Sequence, residues 1–389
     1  MKDINVIIVG AGIGGLAAAL ALQRAGVGVS VYEQVTELGE IGAGISLGPN
    51  ATRVLHHLGL EMPLATIGLT PRVRGARHYK TGERLRVTPM LTTMMERWGA
   101  PYYQVHRADL HGIIADAVLA NDPNCVHLGE NFQSYTLGKS LVTARFTSGL
   151  VVSGDALVGA DGIRSTLREC LFGPEDPFFT GNVAWRGLVP TDKLPDDFVK
   201  QRSAVWLGPD HHFVCYTVRN DKLLNYVAVA EKSGWAEEGW MIPSRVSEVL
   251  AEFSHWDPQI QFIIKQTVPG QCFKWALFDR DPLCQWTKGR VALLGDAAHP
   301  MLPFMGQGAG MAIEDSIILA RCMKAYDEVT VALKRYEKVR MPRAHQAQLG
   351  AREQGQLMHD RDISRHLVEP DQPRGDVSMF NYDATRAAV

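Results

Sequence analysis

Ile4-Asn5-Val6-Ile7-Ile8-Val9-Gly10-Ala11-Gly12-Ile13-Gly14-Gly15 decides the fold. An apolar run passes directly into a G-x-G-x-x-G turn, and an alanine-rich run follows. The pattern predicts a strand over 4–9, a helix over 13–25 and a second strand over 29–33. Such a βαβ start implies a parallel sheet with a right-handed crossover. In this turn Gly10 permits the tight bend, Gly12 lets a pyrophosphate approach the backbone, and Gly15 lets helix and strand pack closely. The helix N-terminus offers N–H groups and the positive end of its dipole to the phosphates. Glu33, closing the second strand, is placed to accept hydrogen bonds from the ribose hydroxyls of an adenosine. The ligand is a dinucleotide, with NAD and FAD both open at this point. The apolar start leads to no cleavage-like site, so it reads as a buried strand and not as a signal peptide.

Outward from this stretch, helices are expected over 50–58, with Asn50 as N-cap, and over 109–120. Between about 181 and 278 the pattern changes to short β-rich runs at 183–189, 204–207, 213–218 and 223–230, with a hairpin turn at 219–222. This predicts a mostly antiparallel sheet, interrupted by helices at 243–253 and 258–265. A buried strand at 290–294 then leads through a second glycine-rich turn into an apolar helix at 309–322. A long helix over 331–359 follows, and its polar face reads as solvated. The tail from Leu367 carries Pro, Asp and Gly and reads as loosely held. Ten of the 37 Gly fall in the first 50 residues and seven of the 8 Trp lie from Trp185 to Trp286, so the ends and the middle do different jobs. The tryptophans read as core and interface filling, and Met301, Met305 and Met311 as packing.

The second glycine-rich segment is Leu293-Leu294-Gly295-Asp296-Ala297-Ala298-His299-Pro300, followed by Pro303-Phe304-Met305-Gly306-Gln307-Gly308-Ala309-Gly310. FAD needs an anchor for each half. Asp296 can hold a ribityl hydroxyl, and the helix N-terminus at Gly306 and Gly308 can approach the flavin pyrimidine edge. A third segment, Ala156 to Ser165, ends a hydrophobic strand in Asp161-Gly162; alone, it could be a helix start and nothing more.

A net charge of −2 gives no general attraction to nucleic acid. No run of about 18 apolar residues suggests a membrane span. The six cysteines are scattered without a Cys-x-x-Cys pair, which favours a reducing cytoplasm over a disulfide scaffold. No His, Cys, Asp and Glu spacing suggests a metal.

The three motifs, in this order over residues 4–345, resemble the single-component FAD-dependent aromatic hydroxylases, the class A flavoprotein monooxygenases. The resemblance implies an α/β fold in which a Rossmann-like FAD-binding domain (1–70, 100–178 and 279–350) is interleaved with a smaller β-rich substrate domain (71–99 and 179–278). A C-terminal helix end and tail (351–389) complete it. It implies FAD as cofactor and NADH or NADPH as co-substrate. A flavin C4a-hydroperoxide would transfer one oxygen atom of O2 to a small hydroxylated aromatic acid. Arg107, in Val105-His106-Arg107-Ala108, matches the family arginine that contacts FAD. Asp161 would take the family's dual role near the pyrophosphate and the NAD(P)H path. With only one G-x-G-x-x-G, NAD(P)H would bind transiently, with Arg164 and Arg168 as candidate phosphate contacts. The segment Gly42 to Asn50 looks like the salicylate and 3-hydroxybenzoate 6-hydroxylase branch. Gly208 to Tyr216 resembles the latter and 6-hydroxynicotinate 3-monooxygenase. The pyridine-acting branch tends to carry His where Ser46 stands, which moves weight toward benzenoid acids. A monomer or homodimer is expected.

The oxygen donor in this class is an electrophile, so a phenol reacts better once deprotonated, in a dry pocket. His212 is the candidate base, since an ordinary imidazole titrates near neutrality. Tyr216 lies four residues on; in a strand both side chains and Val214 would share one face, the pocket wall, and His211 would point away. Tyr102 matches a substrate-side aromatic of the same branch. Pro303 and Gln307 would sit at the flavin edge, with His299 either a spacer in the turn or a pocket group. A plain NAD-dependent dehydrogenase would explain Gly10 to Glu33 but not Gly295 to Gly310. A flavin-bound protein without turnover is the non-enzyme alternative.

Overall fold

The computed structural model describes residues 4–39, 44–200, 202–232, 234, 239, 242–362 and 379–389. The opening stretch folds as its pattern requires: strand Asn5–Val9, helix Ile13–Arg24 and strand Gly28–Glu33. They belong to a six-stranded sheet in the order Thr287–Lys288, Val291–Leu293, Ala156–Gly159, Asn5–Val9, Gly28–Glu33, Val126–Leu128. All pairs are parallel except the first. Three of the central strands, Asn5–Val9, Ala156–Gly159 and Val291–Leu293, are apolar and almost fully buried, covered by helices and by a three-stranded antiparallel sheet of Phe132–Leu137, Val142–Phe146 and Val151–Gly154. Gly10 turns the chain with φ +100°, and a methyl group there would collide with the Ala160 carbonyl. Helix Gly308–Ala325 packs beside Ile13–Arg24, joining the second glycine segment to the first.

The middle of the chain forms an eight-stranded sheet. Its order is Ile242–Pro243, Cys272–Asp279, Phe178–Pro190, Leu223–Glu231, His211–Val218, Ser203–Gly208, Val73–His78, Arg84–Pro89. Only the pair Ser203–Gly208 with Val73–His78 is parallel. One face packs Trp185, Trp206, Phe213 and Tyr226 onto helices Val246–Glu252 and Pro258–Lys265. The opposite face turns toward the parallel-sheet unit.

Several expectations change. Asn50 is not an N-cap: helix Pro49–His57 starts after Gly48, and Asn50 is buried inside it, donating to Gln307 Oε1 at 3.1 Å and Glu314 Oε1 at 2.6 Å. The helix expected at 243 starts at Val246, because Ile242–Pro243 pairs as a short edge strand, a place that tolerates proline. The long helix Val329–Met358 does not present a uniformly solvated polar face. Arg340 and Gln348 are buried because acidic side chains and carbonyls meet them there. The tail expectation falls partly on residues outside the described ones, but 379–389 is docked. Met379, Phe380 and Ala384 are buried, and Arg53, Arg321 and Arg343 donate to carbonyls of this segment. Trp235 and Trp240 lie outside the described residues. No described helix is long and apolar enough to cross a membrane.

Candidate active site

A cavity of about 540 Å³ lies between the eight-stranded sheet and the two glycine-rich segments. Gly12, Gly14, Gly162, Gly295, Asp296, Gly306 and Gly308 line one side of it. Arg107 lines it too, at the start of helix Arg107–Asn121, and its charge acts on Asp296 and Arg186. Asp296 is exposed to the cavity, and desolvation by the surrounding protein pushes its carboxyl up, against the pull of His299 and Arg107.

The donor set fits a dinucleotide bearing a flavin. Two helix N-termini open on this cavity, those of Ile13–Arg24 and Gly308–Ala325. Neither has a side-chain cap or an acid in its first turn. The N–H groups at these two neighbouring helix ends would take acceptors of the kind that a phosphate and a flavin edge supply. Glu33 sits beside the first turn, accepting from Ala11 N at 2.7 Å and Val35 N at 3.1 Å. A methyl on Gly15 would strike the Gly10 carbonyl, so Gly15 serves helix–strand packing.

Asp315 supports the Gly295-Asp296 turn from below. It accepts from Gly295 N, from His299 Nε2 and from Arg340 Nε, all fully buried. Arg340 and Arg343 both reach Glu314, which also takes the Asn50 amide. His299 is therefore a support of the turn and does not line the cavity.

The sheet supplies the other wall. His212, Val214 and Tyr216 point to one face of strand His211–Val218 and all line the cavity. His211 points the other way and bonds Glu252. The strand register sets Ala184, Val229, His212 and Leu207 in one row across the sheet, and Arg186, Val227, Val214 and Val205 in the next. Tyr216 is pressed against Gly44, where any β-carbon would overlap its ring. Burial pushes the Tyr216 hydroxyl far above the ordinary phenol range, so it stays a neutral donor. Burial, with His359 and His211 adding, pushes His212 well below the ordinary imidazole value, so it is neutral at neutral pH. Tyr102, Pro303 and Ser46 line the cavity, as do Met301, Met305 and Trp275, which pack together in one apolar cluster as their packing reading expected.

Five expected site residues, Gly10, Gly15, Glu33, Asp161 and Gln307, are not part of the cavity lining; the first three belong to the turn behind it. Gln307 is buried and outside the cavity lining, its carboxamide oxygen taken by Asn50. The Asp161 side chain caps the next helix, accepting from Ser165 Oγ and Leu167 N, and only its neighbours Ala160 and Gly162 reach the cavity. Arg168 is buried and paired with Glu175 at 2.7 Å, which removes it as a phosphate contact.

Sequence reasoning missed Arg186 and His359. Arg186 is 7% exposed, lies over Phe273 and Trp275, and faces the cavity without a carboxylate partner among the described residues. A lone Arg in an apolar strand was the available signal. His359 is brought to His212 by the long helix, across 147 positions, and nothing local marks it. Among the described residues no cluster of His, Cys, Asp or Glu is arranged to hold a metal, and all six cysteines are free.

Residues 3–350 match the FAD binding domain family. The chain is 38% identical to 3-amino-4-hydroxybenzoate 2-monooxygenase of Streptomyces platensis over 360 residues, 91% of this chain and 88% of that one. It is 36% identical to 6-hydroxynicotinate 3-monooxygenase of Pseudomonas fluorescens over 374 residues, 94% and 93% of the two chains. Klebsiella pneumoniae HpxO, solved with FAD and uric acid, superposes with a TM-score of 0.84 at 30% identity, covering 93% of this chain and 90% of that one.

Proposed function

Because the chain belongs to the FAD-binding domain family of flavin-dependent aromatic monooxygenases, we propose that its substrate is a small hydroxylated aromatic carboxylic acid of the hydroxybenzoate type. The observation that carries this reading is a cavity with a neutral buried imidazole, a buried phenol and, on the same wall, a guanidinium that has no carboxylate partner among the described residues. Bound FAD supplies hydride acceptance from NAD(P)H and activation of O2. Glu33, Arg107, Asp296 and the two open helix ends would hold it, and the units built on the two sheets would carry cofactor and substrate.

The chain's own residues do the rest. Arg186 attracts the substrate carboxylate, a charge-assisted contact in a poorly hydrated place. His212 takes the phenol proton, which enriches the ring for electrophilic attack. Tyr216, held neutral, donates to the ring oxygen and fixes its orientation. Leu302, Phe304 and Met305 close the flavin side and exclude water; the Pro303 carbonyl already takes Gly306 N at 2.9 Å, so only its second lone pair would be open to a substrate hydroxyl. A heteroaromatic acid such as 6-hydroxynicotinate is the second reading, favoured by the Pseudomonas fluorescens relative. Ser46 in the wall, where that branch tends to carry His, weighs against it.

Purified protein is expected to hold FAD, and one member of a panel of hydroxybenzoates and hydroxypyridine acids to accelerate NAD(P)H oxidation with O2 uptake. Flavin reduction indifferent to every acid in the panel would sink the reading. His212→Ala should lower hydroxylated product per NAD(P)H consumed at least tenfold (about 10²-fold is typical of a lost general base); unchanged coupling and rate remove His212 from the mechanism.

A further inference from the structure

His212 does not stand alone. Its Nδ1 lies 2.7 Å from His359 Nε2, and His359 Nδ1 lies 2.9 Å from Glu231 Oε1. The three groups form one line from the cavity wall to the surface. His212 is 3% exposed and faces the cavity, His359 is 6% exposed, and the Glu231 side chain is half exposed. Phe304 packs edge-on against both imidazoles and seals the line from the flavin side.

The proton positions follow from what each group can do. A carboxylate only accepts, so His359 Nδ1 must carry the hydrogen given to Glu231. In neutral His359, Nε2 then holds a lone pair. The 2.7 Å contact needs one hydrogen between its nitrogens, so His212 Nδ1 is the donor. This leaves His212 Nε2 as a lone pair without a protein partner among the described residues, available to the cavity. The chain of partners thus fixes the tautomer that makes His212 a base.

We propose that His212, His359 and Glu231 form a proton path that takes the substrate hydroxyl proton out of the cavity, with His359 as relay and Glu231 as the solvent terminus. The inference rests on the substrate reading above. In the outward step the substrate O–H bond breaks and His212 Nε2–H forms. His212 Nδ1–H passes to His359 Nε2, and His359 Nδ1–H passes to Glu231, which exchanges with water. No electron changes hands. Return of a proton along the same line when product takes up its hydrogen restores both tautomers.

The fold has built the line from distant parts. His359 is the C-cap of helix Val329–Met358, and its carbonyl takes Asp210 N at 3.2 Å from the turn before the His212 strand. Glu231 ends the neighbouring strand and sits next to the same turn through Glu231 N to Asp210 O. The other charges facing the pair are Asp210, which pairs with Arg361, and His211, which pairs with Glu252; Lys232 also pairs with Glu252. Each of these has its own partner, so Glu231 is the acceptor that His359 faces directly.

The test uses FAD-loaded enzyme and stopped-flow mixing with a hydroxybenzoate in weak buffer carrying a pH indicator. The flavin absorbance change reports binding, and the indicator reports proton release. Wild type should release a proton on binding. His359→Gln should slow release at least tenfold with binding retained, and Glu231→Gln, a surface change that threatens folding little, should slow it several-fold. Both should shift the pH profile of binding, which a merely structural role would not do. If His359→Gln does not fold, Glu231→Gln decides alone. No binding of any phenolic acid overturns the substrate reading and the path with it. Binding with wild-type release kinetics and pH profile in the variants overturns the path alone.

Discussion

Asp315 accepts the backbone N–H of Gly295 at 3.0 Å, twenty positions apart in sequence and from the neighbouring helix. The same oxygen takes His299 Nε2 at 2.6 Å, and the other takes Arg340 Nε at 2.7 Å. The turn that presents Asp296 to the cavity is thereby fastened to a fully buried ionic cluster. Breaking one partner of such a cluster leaves uncompensated charge, typically costing about 3–5 kcal/mol. Asp315→Asn should therefore lower stability by about that amount and reduce FAD content, read by denaturant unfolding and by flavin absorbance per chain. Wild-type values of both would refute the role.

The same carboxyl gives a pH dependence. His299 and Arg340 hold it down at about 2, against an ordinary value of 3.8 and in spite of burial. A depressed carboxyl stabilises the fold above its unfolded value, and this contribution is lost as pH falls through the folded value. About 2 kcal/mol should disappear between pH 4 and pH 2, and Asp315→Asn should lack that part of the acid slope. An unchanged slope in the variant would assign acid loss to other carboxylates.

Arg186 supplies a charge that no residue among those described neutralises by pairing, on the apolar wall that also carries His212 and Tyr216. A charge-assisted contact of this kind is worth about 1.5–3 kcal/mol. Arg186→Gln should thus weaken binding of a hydroxybenzoate about 10- to 100-fold, while the corresponding benzamide, lacking the carboxylate, should be affected little. Equal losses for acid and amide would mean that Arg186 supports the pocket without reading its charge.

The βαβ opening, both glycine segments and the His212 face were legible because each depends on short-range periodicity. Alternation with period two put His212, Val214 and Tyr216 on one wall, and the register of the sheet only added their neighbours. Illegible were the relations made by chain closure. Arg340 looked like a solvated charge until helix Gly308–Ala325 brought Glu314 and Asp315 to it. Gln307 looked like a pocket group, yet Asn50, 257 positions away, turns its carboxamide inward. Asp161 followed the competing local signal, a helix start, in its side-chain bonds. His359 caps the end of a helix whose composition suggested only a polar face.

Phe380 argues for the described end of the chain as part of the pocket. It is 2% exposed, meets Trp98 and Tyr102 edge-on, lies so close to Gly48 that no β-carbon would fit there, and lines the cavity. Arg53 and Arg343 hold its segment by carbonyls. Truncation at such a site typically costs about 3–5 kcal/mol, and it would also open one side of a cavity that must exclude water. Phe380→Ala should therefore lower Tm and, below the melting range, raise the hydrogen peroxide released per NAD(P)H consumed at least twofold at saturating acid. Reduced stability with unchanged coupling would restrict Phe380 to packing; a rise in peroxide in folded, FAD-loaded enzyme would establish it as a wall of the reaction chamber.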